Sequence, residues 1–120
     1  MANNVEITIL LDFYGDMLTA KQRDFINLYY NDDLSLAEIA ENEGITRQGV
    51  RDAIKRAEGQ LYEMELRLGF VKKWNGIKTT LGDIINCAEE ISDYNLNHGL
   101  SREINDTTVK IKSLALSIIE

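Results

Sequence analysis

Proline is absent from the 120-residue chain, and cysteine, histidine and tryptophan occur once each. Without proline, the strongest helix breaker is missing. Cys87 alone cannot form an internal disulfide or a cluster of thiolate metal ligands, so we expect a reducing compartment, the cytoplasm. His98 has no predictable general-base partner and is interpreted as a loop or helix-end residue. The sequence therefore predicts no enzyme, no metal site and no cofactor.

Positive charge is also scarce, because 13 basic residues face 20 acidic ones and the net charge is −7. Such a surface cannot capture nucleic acid or an anionic membrane as a whole, so any such contact must be local. The segment MANNVEITILLDF has no basic region and reaches Asp12 after a short apolar run. We therefore expect neither a secretion signal nor membrane insertion.

Three helix starts are marked by residues that cap a first turn. Thr19 followed by Gln22, and Ser35 followed by Glu38, fit the capping box. In this motif the side chain of each of the two residues accepts the backbone N–H of the other. Thr46 is the predicted cap of a third helix. These caps predict helices that begin near residues 19, 35 and 46.

An earlier helix is predicted over roughly residues 5–15. Gly15 and Gly44 are predicted to end helices in the left-handed conformation, which glycine adopts without a Cβ penalty. The first helix is indicated by four apolar residues on one face, Val5, Ile9, Leu10 and Phe13.

The C-terminal part carries two long apolar seams. After Thr46, apolar residues recur at alternating steps of four and three, which is a heptad pattern: Val50, Ile54, Ala57, Leu61, Met64 and Leu68. After Gly69 a second run predicts a helix of about twenty residues that ends at the turn NLNHGLS. The last helix restarts at Ser101 and places four apolar residues on one face, Ile104, Ile111, Leu114 and Ile118. No strand alternation is present, so the fold class is all-α: a helix-turn-helix bundle in residues 1–68, then a hairpin of long helices in residues 69–120.

The two helices of this hairpin carry more apolar surface than one hairpin can hide, which predicts a homodimer. Trp74 is interpreted as a core or interface anchor rather than a base-stacking residue, and Cys87 as a partly buried structural thiol. The predicted dimer interface consists of Phe70, Trp74, Ile77, Leu81, Ile84, Ile91, Ile111, Leu114 and Ile118.

Residues 35–56 have the spacing of a helix-turn-helix. Ala40 is small enough for two helix backbones to approach closely, Gly44 permits the positive φ of the turn, and Val50 fills the gap at the crossing. The second helix of this motif also carries cations at a spacing of four residues, which on its own is typical of an ordinary solvated helix face. Joined to this turn pattern, they favour nucleic-acid binding.

If Val50 and Ile54 face inward, the polar residues of the second helix face outward. We predict that bases are read by Arg47, Gln48, Arg51 and Asp52. We predict that the phosphate backbone is contacted by Thr19, Lys21, Ser35, Lys55 and Arg56. Arginine can address guanine with two donors, glutamine can pair with adenine, and aspartate can accept from a cytosine amine. Residues 46–58 carry a local charge of +2 within the chain's −7.

The stretch LTAKQRDFINLYYNDDLSLAEIAENEGITRQGVRDAIKRAEGQL, residues 18–61, resembles region 4 of the sigma-70 family. The whole chain resembles the YlxM family, small helix-turn-helix proteins of bacteria whose gene typically neighbours those of the signal recognition particle pathway. By this resemblance Thr46, Arg47 and Arg51 match the helix start and the DNA-contacting arginines of the sigma pattern. Gln48, Gly49 and Asp52 depart from it.

Two functions remain open at this point. The first, which the resemblance implies together with the outward cations, is a DNA-binding regulatory protein without a wing, acting on genes of the signal recognition particle pathway. The alternative is an adaptor that does not bind DNA and contacts protein or RNA components of the signal recognition particle. The net charge of −7, Gly49 and Asp52 favour the adaptor.

Overall fold

A computed structural model describes residues 4–120 as six α-helices and a short 3-10 helix, with no strand in this range. The all-α class is therefore confirmed. Residues 1–3, which belong to the segment predicted to lack a secretion signal and to the predicted domain 1–68, lie outside the described residues. The elements in chain order are α1 (Asn4–Tyr14), the 3-10 helix (Gly15–Met17), α2 (Ala20–Tyr30), α3 (Leu36–Glu43), α4 (Arg47–Leu68), α5 (Phe70–His98) and α6 (Arg102–Ile119).

The chain divides into a compact unit that ends at Val71 and a second unit, Lys72–Glu120. No helix within residues 4–120 combines the length and apolar character that crossing a membrane requires.

The core of the first unit is built on α4, which packs against α1, α2 and α3. The predicted seam is buried over its first four positions, Val50, Ile54, Ala57 and Leu61. Beyond them Met64 is half-buried and Leu68 is 38% exposed. Since the long helix has one buried side in this unit, its other side is open along the first three turns.

The helix predicted over residues 5–15 is confirmed as α1, but only Leu10 of the four residues that indicated it is buried. Val5, Ile9 and Phe13 are exposed, and the buried residues are Ile7, Leu10, Leu11 and Tyr14. Both sets are apolar and both fit helical spacing, because α1 is apolar around much of its circumference. Packing against α4 selects the face, and the local sequence does not.

The three predicted helix caps are confirmed. Thr19 and Ser35 form capping boxes with Gln22 and Glu38, and the Thr46 hydroxyl accepts the N–H of Gly49 at 3.0 Å. These contacts satisfy N–H groups that a first helical turn leaves without partners.

The prediction for the helix-ending glycines is confirmed at Gly44 and wrong at Gly15. Gly44 ends α3 with a φ of 68°. At Gly15 the chain continues into the 3-10 helix, which the Leu18 N–H closes by donating to the Gly15 carbonyl at 3.1 Å. The second left-handed glycine is Gly69, with a φ of 64°, between α4 and α5.

Gly69 precedes α5 and has no side chain that could cap it. Side chains from other helices cap the first turn of α5 instead. The Tyr14 hydroxyl donates to the Glu65 carboxylate at 2.5 Å and accepts the N–H of Phe70 at 3.1 Å. The same carboxylate accepts the N–H of Val71 at 3.1 Å. Burial, followed by the hydrogen bond to Glu65, raises the pKa of Tyr14 above its usual 10.0. Tyr14 and Glu65 thus fix the point at which α4 ends and α5 begins.

In the second unit α5 is longer than predicted, because it continues to His98 over 29 residues. The turn that follows is held by Asn95, whose side chain accepts the Ser101 N–H and donates to the Ser101 carbonyl, both at 2.9 Å. Ser101 caps α6 as predicted. Cys87 is exposed, so its predicted partial burial is wrong.

A buried hydrogen bond ties α2 to α4, in which the Tyr30 hydroxyl donates to the Glu58 carboxylate. Both residues are buried, so this hydrogen bond replaces part of the hydration that the Glu58 carboxylate loses on burial. We expect Tyr30→Phe to lower the free energy of unfolding by about 1–3 kcal/mol, measured by urea denaturation.

Tyr29→Phe is the matched control, because it removes the hydroxyl of a half-buried neighbour whose ring packs edge-on against Tyr30 at 5.0 Å. Equal unfolding free energies for the two variants would contradict the role of the Tyr30–Glu58 hydrogen bond.

Candidate nucleic-acid interface

The two helices α3 and α4 meet at the tight turn that the sequence predicts. Ala40 is buried at the end of the first helix, and Val50 is fully buried in the first turn of the second. The N–H groups of Gly44 and Ile45 both donate to the Ala40 carbonyl, the latter at 3.1 Å. This hydrogen bonding closes α3, and the Thr46 cap starts α4 two residues after Gly44.

The outward side of α4 carries a local excess of positive charge. Arg47, Arg51, Lys55 and Arg56 are all exposed, and within residues 4–120 none of these four cations forms an ion pair. Glu58 points inward, since it is buried against Tyr30. The exposed surface of residues 47–58 therefore presents four cations and one carboxylate, so the face is more positive than the sequence total of +2 suggests.

Three of the predicted base-reading residues come together at one place. Arg47, Gln48 and Arg51 line an open depression of about 480 Å³, and Leu36 of α3 completes its lining. Leu36 is a residue that the sequence reasoning missed. Its position directly after the cap Ser35, facing the start of the next helix, is the signal that could have found it. The depression combines three polar groups rich in donors with one apolar contact.

The fourth predicted base reader, Asp52, is engaged within the helix. The Gln48 amide donates from Nε2 to Asp52 Oδ1 at 2.9 Å, across one helical turn. A glutamine amide has two N–H donors and a carbonyl acceptor, so one further N–H and the carbonyl are left for another partner. Asp52 thus orients the Gln48 side chain and does not line the depression.

The residues predicted to contact phosphate lie on three helices. Lys55 and Arg56 are exposed on the third turn of α4, and Lys21 is exposed on the first turn of α2. The hydroxyls of Thr19 and Ser35 accept N–H groups of their own helices, which leaves each hydroxyl proton free to be donated. Ser35 precedes Leu36 in sequence, but none of these five residues lines the depression.

Gly49 sits in a close contact on the first turn of α4. A Cβ at this position would lie 3.2 Å from the Thr46 hydroxyl oxygen and 3.7 Å from Ile45 Cδ1. Glycine therefore lets the Thr46 cap approach the helix closely, at the expense of helix propensity. This departure from the sigma pattern has a local packing reason.

The first helix of the motif is acidic on its surface. Glu38, Glu41 and Glu43 are exposed on α3, and Glu38 accepts the Ser35 N–H at 3.2 Å as part of the capping box. These carboxylates repel phosphate groups, so this side of α3 does not favour contact with a nucleic-acid backbone. The exposed cations of the motif lie on α4 instead.

The sequence matches, over residues 1–99, the family described as "Putative helix-turn-helix protein, YlxM / p13 like". A UPF0122 protein of Desulforamulus reducens is 42% identical over 97 residues, which cover 81% of this chain and 83% of that relative. One of Thermoanaerobacter sp. is 40% identical over 110 residues, covering 92% and 94%. One of Clostridium kluyveri is 43% identical over 96 residues, covering 79% and 86%. The description of this family names a helix-turn-helix and names no enzymatic reaction.

Two glycines of α4, Gly49 and Gly59, differ in the space around them. At the exposed Gly59 a Cβ would meet open space, so we expect Gly59→Ala to raise the free energy of unfolding by about 1 kcal/mol. We expect Gly49→Ala to gain less, because the new methyl group crowds the Thr46 cap. Thermal or urea unfolding of the two variants measures the difference. A gain at Gly49 as large as at Gly59 would contradict the packing reason for this glycine.

Proposed function

The chain belongs to the YlxM/p13-like family of helix-turn-helix proteins, and on that premise we propose that it is a DNA-binding regulatory protein that acts in the cytoplasm. In this proposal α4 is the recognition helix and enters the major groove of double-stranded DNA. The observation that carries the proposal is the depression at the start of α4, where Arg47, Gln48 and Arg51 converge on the surface.

The position of these three residues suits base reading. A recognition helix contacts base edges with its N-terminal residues, and Arg47, Gln48 and Arg51 occupy the first two turns of α4. Each arginine can donate twice to guanine O6 and N7. Gln48 keeps an N–H and a carbonyl, the pair of groups that adenine N7 and N6 require. Asp52, which the sequence predicted to read a base, supports this contact by holding the Gln48 amide.

The phosphate backbone is contacted by the surrounding cations and hydroxyls. Lys55 and Arg56 lie further along α4, where the helix leaves the groove, and Ser35 directly precedes Leu36, which lines the depression. Lys21 and Thr19 at the start of α2 extend this contact along the backbone. Because the remaining surface is acidic, binding depends on few phosphate contacts and falls with added salt in proportion to their number.

We propose that the genes controlled are those of the signal recognition particle pathway, because the resemblance to the YlxM family implies this gene neighbourhood. A protein with one recognition helix reads one half-site, so two copies are needed to read a paired site. A homodimer is therefore part of the proposal.

A second candidate function is the adaptor that contacts protein or RNA components of the signal recognition particle without binding DNA. The observation that favours it is the acidic surface of α3, with Glu38, Glu41 and Glu43 beside the recognition helix. Capture of such a component that is insensitive to changes at Arg47 and Arg51 would support the adaptor over the DNA-binding role.

We expect Arg51→Ala to weaken specific DNA binding by about 1–3 kcal/mol and to relax the preference at one base position. Titration of the duplex with fluorescence anisotropy measures the loss. Arg67→Ala is the matched control, since it removes the same charge from the far end of α4, where Arg67 pairs with Glu63 at 2.6 Å. Equal effects of the two substitutions would indicate that Arg51 contributes only charge and would contradict base reading.

A further inference from the structure

The second unit leaves an unusual apolar stripe on α5. Ile77, Ile84 and Ile91 follow one another at intervals of seven residues, and each is between 41% and 48% exposed. In a heptad pattern such residues share one line along the helix. The interleaved Ala88, by contrast, is buried within the chain. One side of the predicted seam is therefore covered and the other side is open.

The helix α6 repeats this arrangement. Ile104, Ile111 and Ile118 also recur at intervals of seven residues, with Ile104 43% and Ile118 53% exposed and Ile111 half-buried. The buried residues of α6 are Thr108 and Ala115, which lie on another line of the helix.

The two stripes meet at the turn end of the hairpin. Ile91 of α5 lines a cleft of about 260 Å³ together with Ile104 and Ile111 of α6. We call the six residues of both stripes the isoleucine face: Ile77, Ile84, Ile91, Ile104, Ile111 and Ile118. Large exposed apolar patches are rare on monomers and mark interaction sites.

The shape of this face indicates what covers it. Where helices pack in coiled-coil fashion, an apolar side chain of one helix enters a hole formed by four residues of the other. On a helix surface the four neighbours around such a hole are separated by three, four and seven residues. On α5 an open groove of about 540 Å³ is lined by such a set, Lys73, Gly76, Ile77 and Thr80, together with Leu81.

The cleft at α6 has the same pattern. Its lining includes Ile104, Thr107, Thr108 and Ile111, again separated by three, four and seven residues. On α5 the hole is deepened by Gly76, at which a Cβ would have no neighbour within 4 Å. Both helices thus offer vacant holes that fit apolar side chains repeated every seven residues. This chain carries such side chains itself, on the isoleucine face.

We propose that the isoleucine face binds the isoleucine face of a second copy of this chain, so that two hairpins form a four-helix bundle. This inference specifies the homodimer included in the proposed function. It is narrower than the sequence prediction, because Trp74 and Leu81 are already half-buried within one chain. The line of contact is the exposed half of the seam only.

Charge selects the direction in which the two copies pair. Exposed lysines mark the first turns of α5, at the end away from the turn, and exposed carboxylates surround the turn. An antiparallel pair sets the basic end of each hairpin against the acidic end of the other, whereas a parallel pair brings like charges together. The antiparallel pairing also matches Ile77 with Ile91 of the other copy, because both lie seven residues from Ile84. The lysines are Lys72, Lys73 and Lys78, and the carboxylates Glu89, Glu90, Asp93, Glu103 and Asp106.

The first test is the molar mass of the full chain in solution, measured by light scattering or sedimentation at micromolar concentrations. We expect twice the mass of one chain for the natural sequence and the mass of one chain for Ile84→Glu. Val109→Glu, at an exposed apolar position of α6 outside the isoleucine face, is the matched control and stays dimeric. Circular dichroism verifies that all variants keep their helices, and Ile77→Glu is a second variant should Ile84→Glu lose them.

The second test concerns direction and uses a spin label at Asn75→Cys in a chain that also carries Cys87→Ser. Asn75 lies nine residues before Ile84, about 14 Å along the helix at the usual rise per residue. In an antiparallel dimer the two labels are therefore about 27 Å apart along the axis, whereas in a parallel dimer they lie at the same level.

A natural chain that is monomeric at these concentrations, or an Ile84→Glu variant that remains dimeric, would overturn the assignment of the face. Labels at the same level would overturn the antiparallel direction. None of these experiments contains DNA, so a failure here is separate from a failure of DNA binding by α4.

Discussion

Burial of one apolar seam of α4 is the constraint on which the first unit depends. Val50, Ile54, Ala57 and Leu61 are removed from water by α1, α2 and α3, and all four belong to the core of this unit. A helix buried on one side must present its other side to solvent, so this packing also sets which residues a nucleic acid would meet. Gly44 and the Thr46 cap determine where the helix begins.

In this acidic chain, the local placement of charged side chains determines which surfaces are positive. The exposed face of α4 gains its positive character because Glu58 is turned inward to Tyr30 and Asp52 is held by Gln48. Carboxylates are exposed instead on α3 and around the turn between α5 and α6. A net charge of −7 is therefore compatible with a cationic contact surface, provided that the contact is local and centred on α4.

The features that depend on local chemistry could be predicted from the sequence. Helix caps at Thr19, Ser35 and Thr46, the left-handed Gly44 and the buried seam of α4 follow from interactions within a few residues. The buried face of α1 could not be predicted, because apolar residues surround that helix and α4 decides which of them are covered. The cap of α5 by Tyr14 and Glu65 joins residues about fifty positions apart in sequence. The predicted base readers Arg47, Gln48 and Arg51 lie together, whereas Leu36 and the Gln48–Asp52 contact depend on side-chain geometry that spacing does not reveal.

The central claim is that α4 reads DNA, and the most direct test is selection from a randomised duplex pool at two salt concentrations. The natural protein is compared with an Arg47→Ala/Arg51→Ala double variant under identical conditions. The DNA-binding account predicts enrichment of a sequence motif that the double variant loses, with weaker binding at the higher salt concentration. Equally weak binding by both proteins, without an enriched motif, would contradict it.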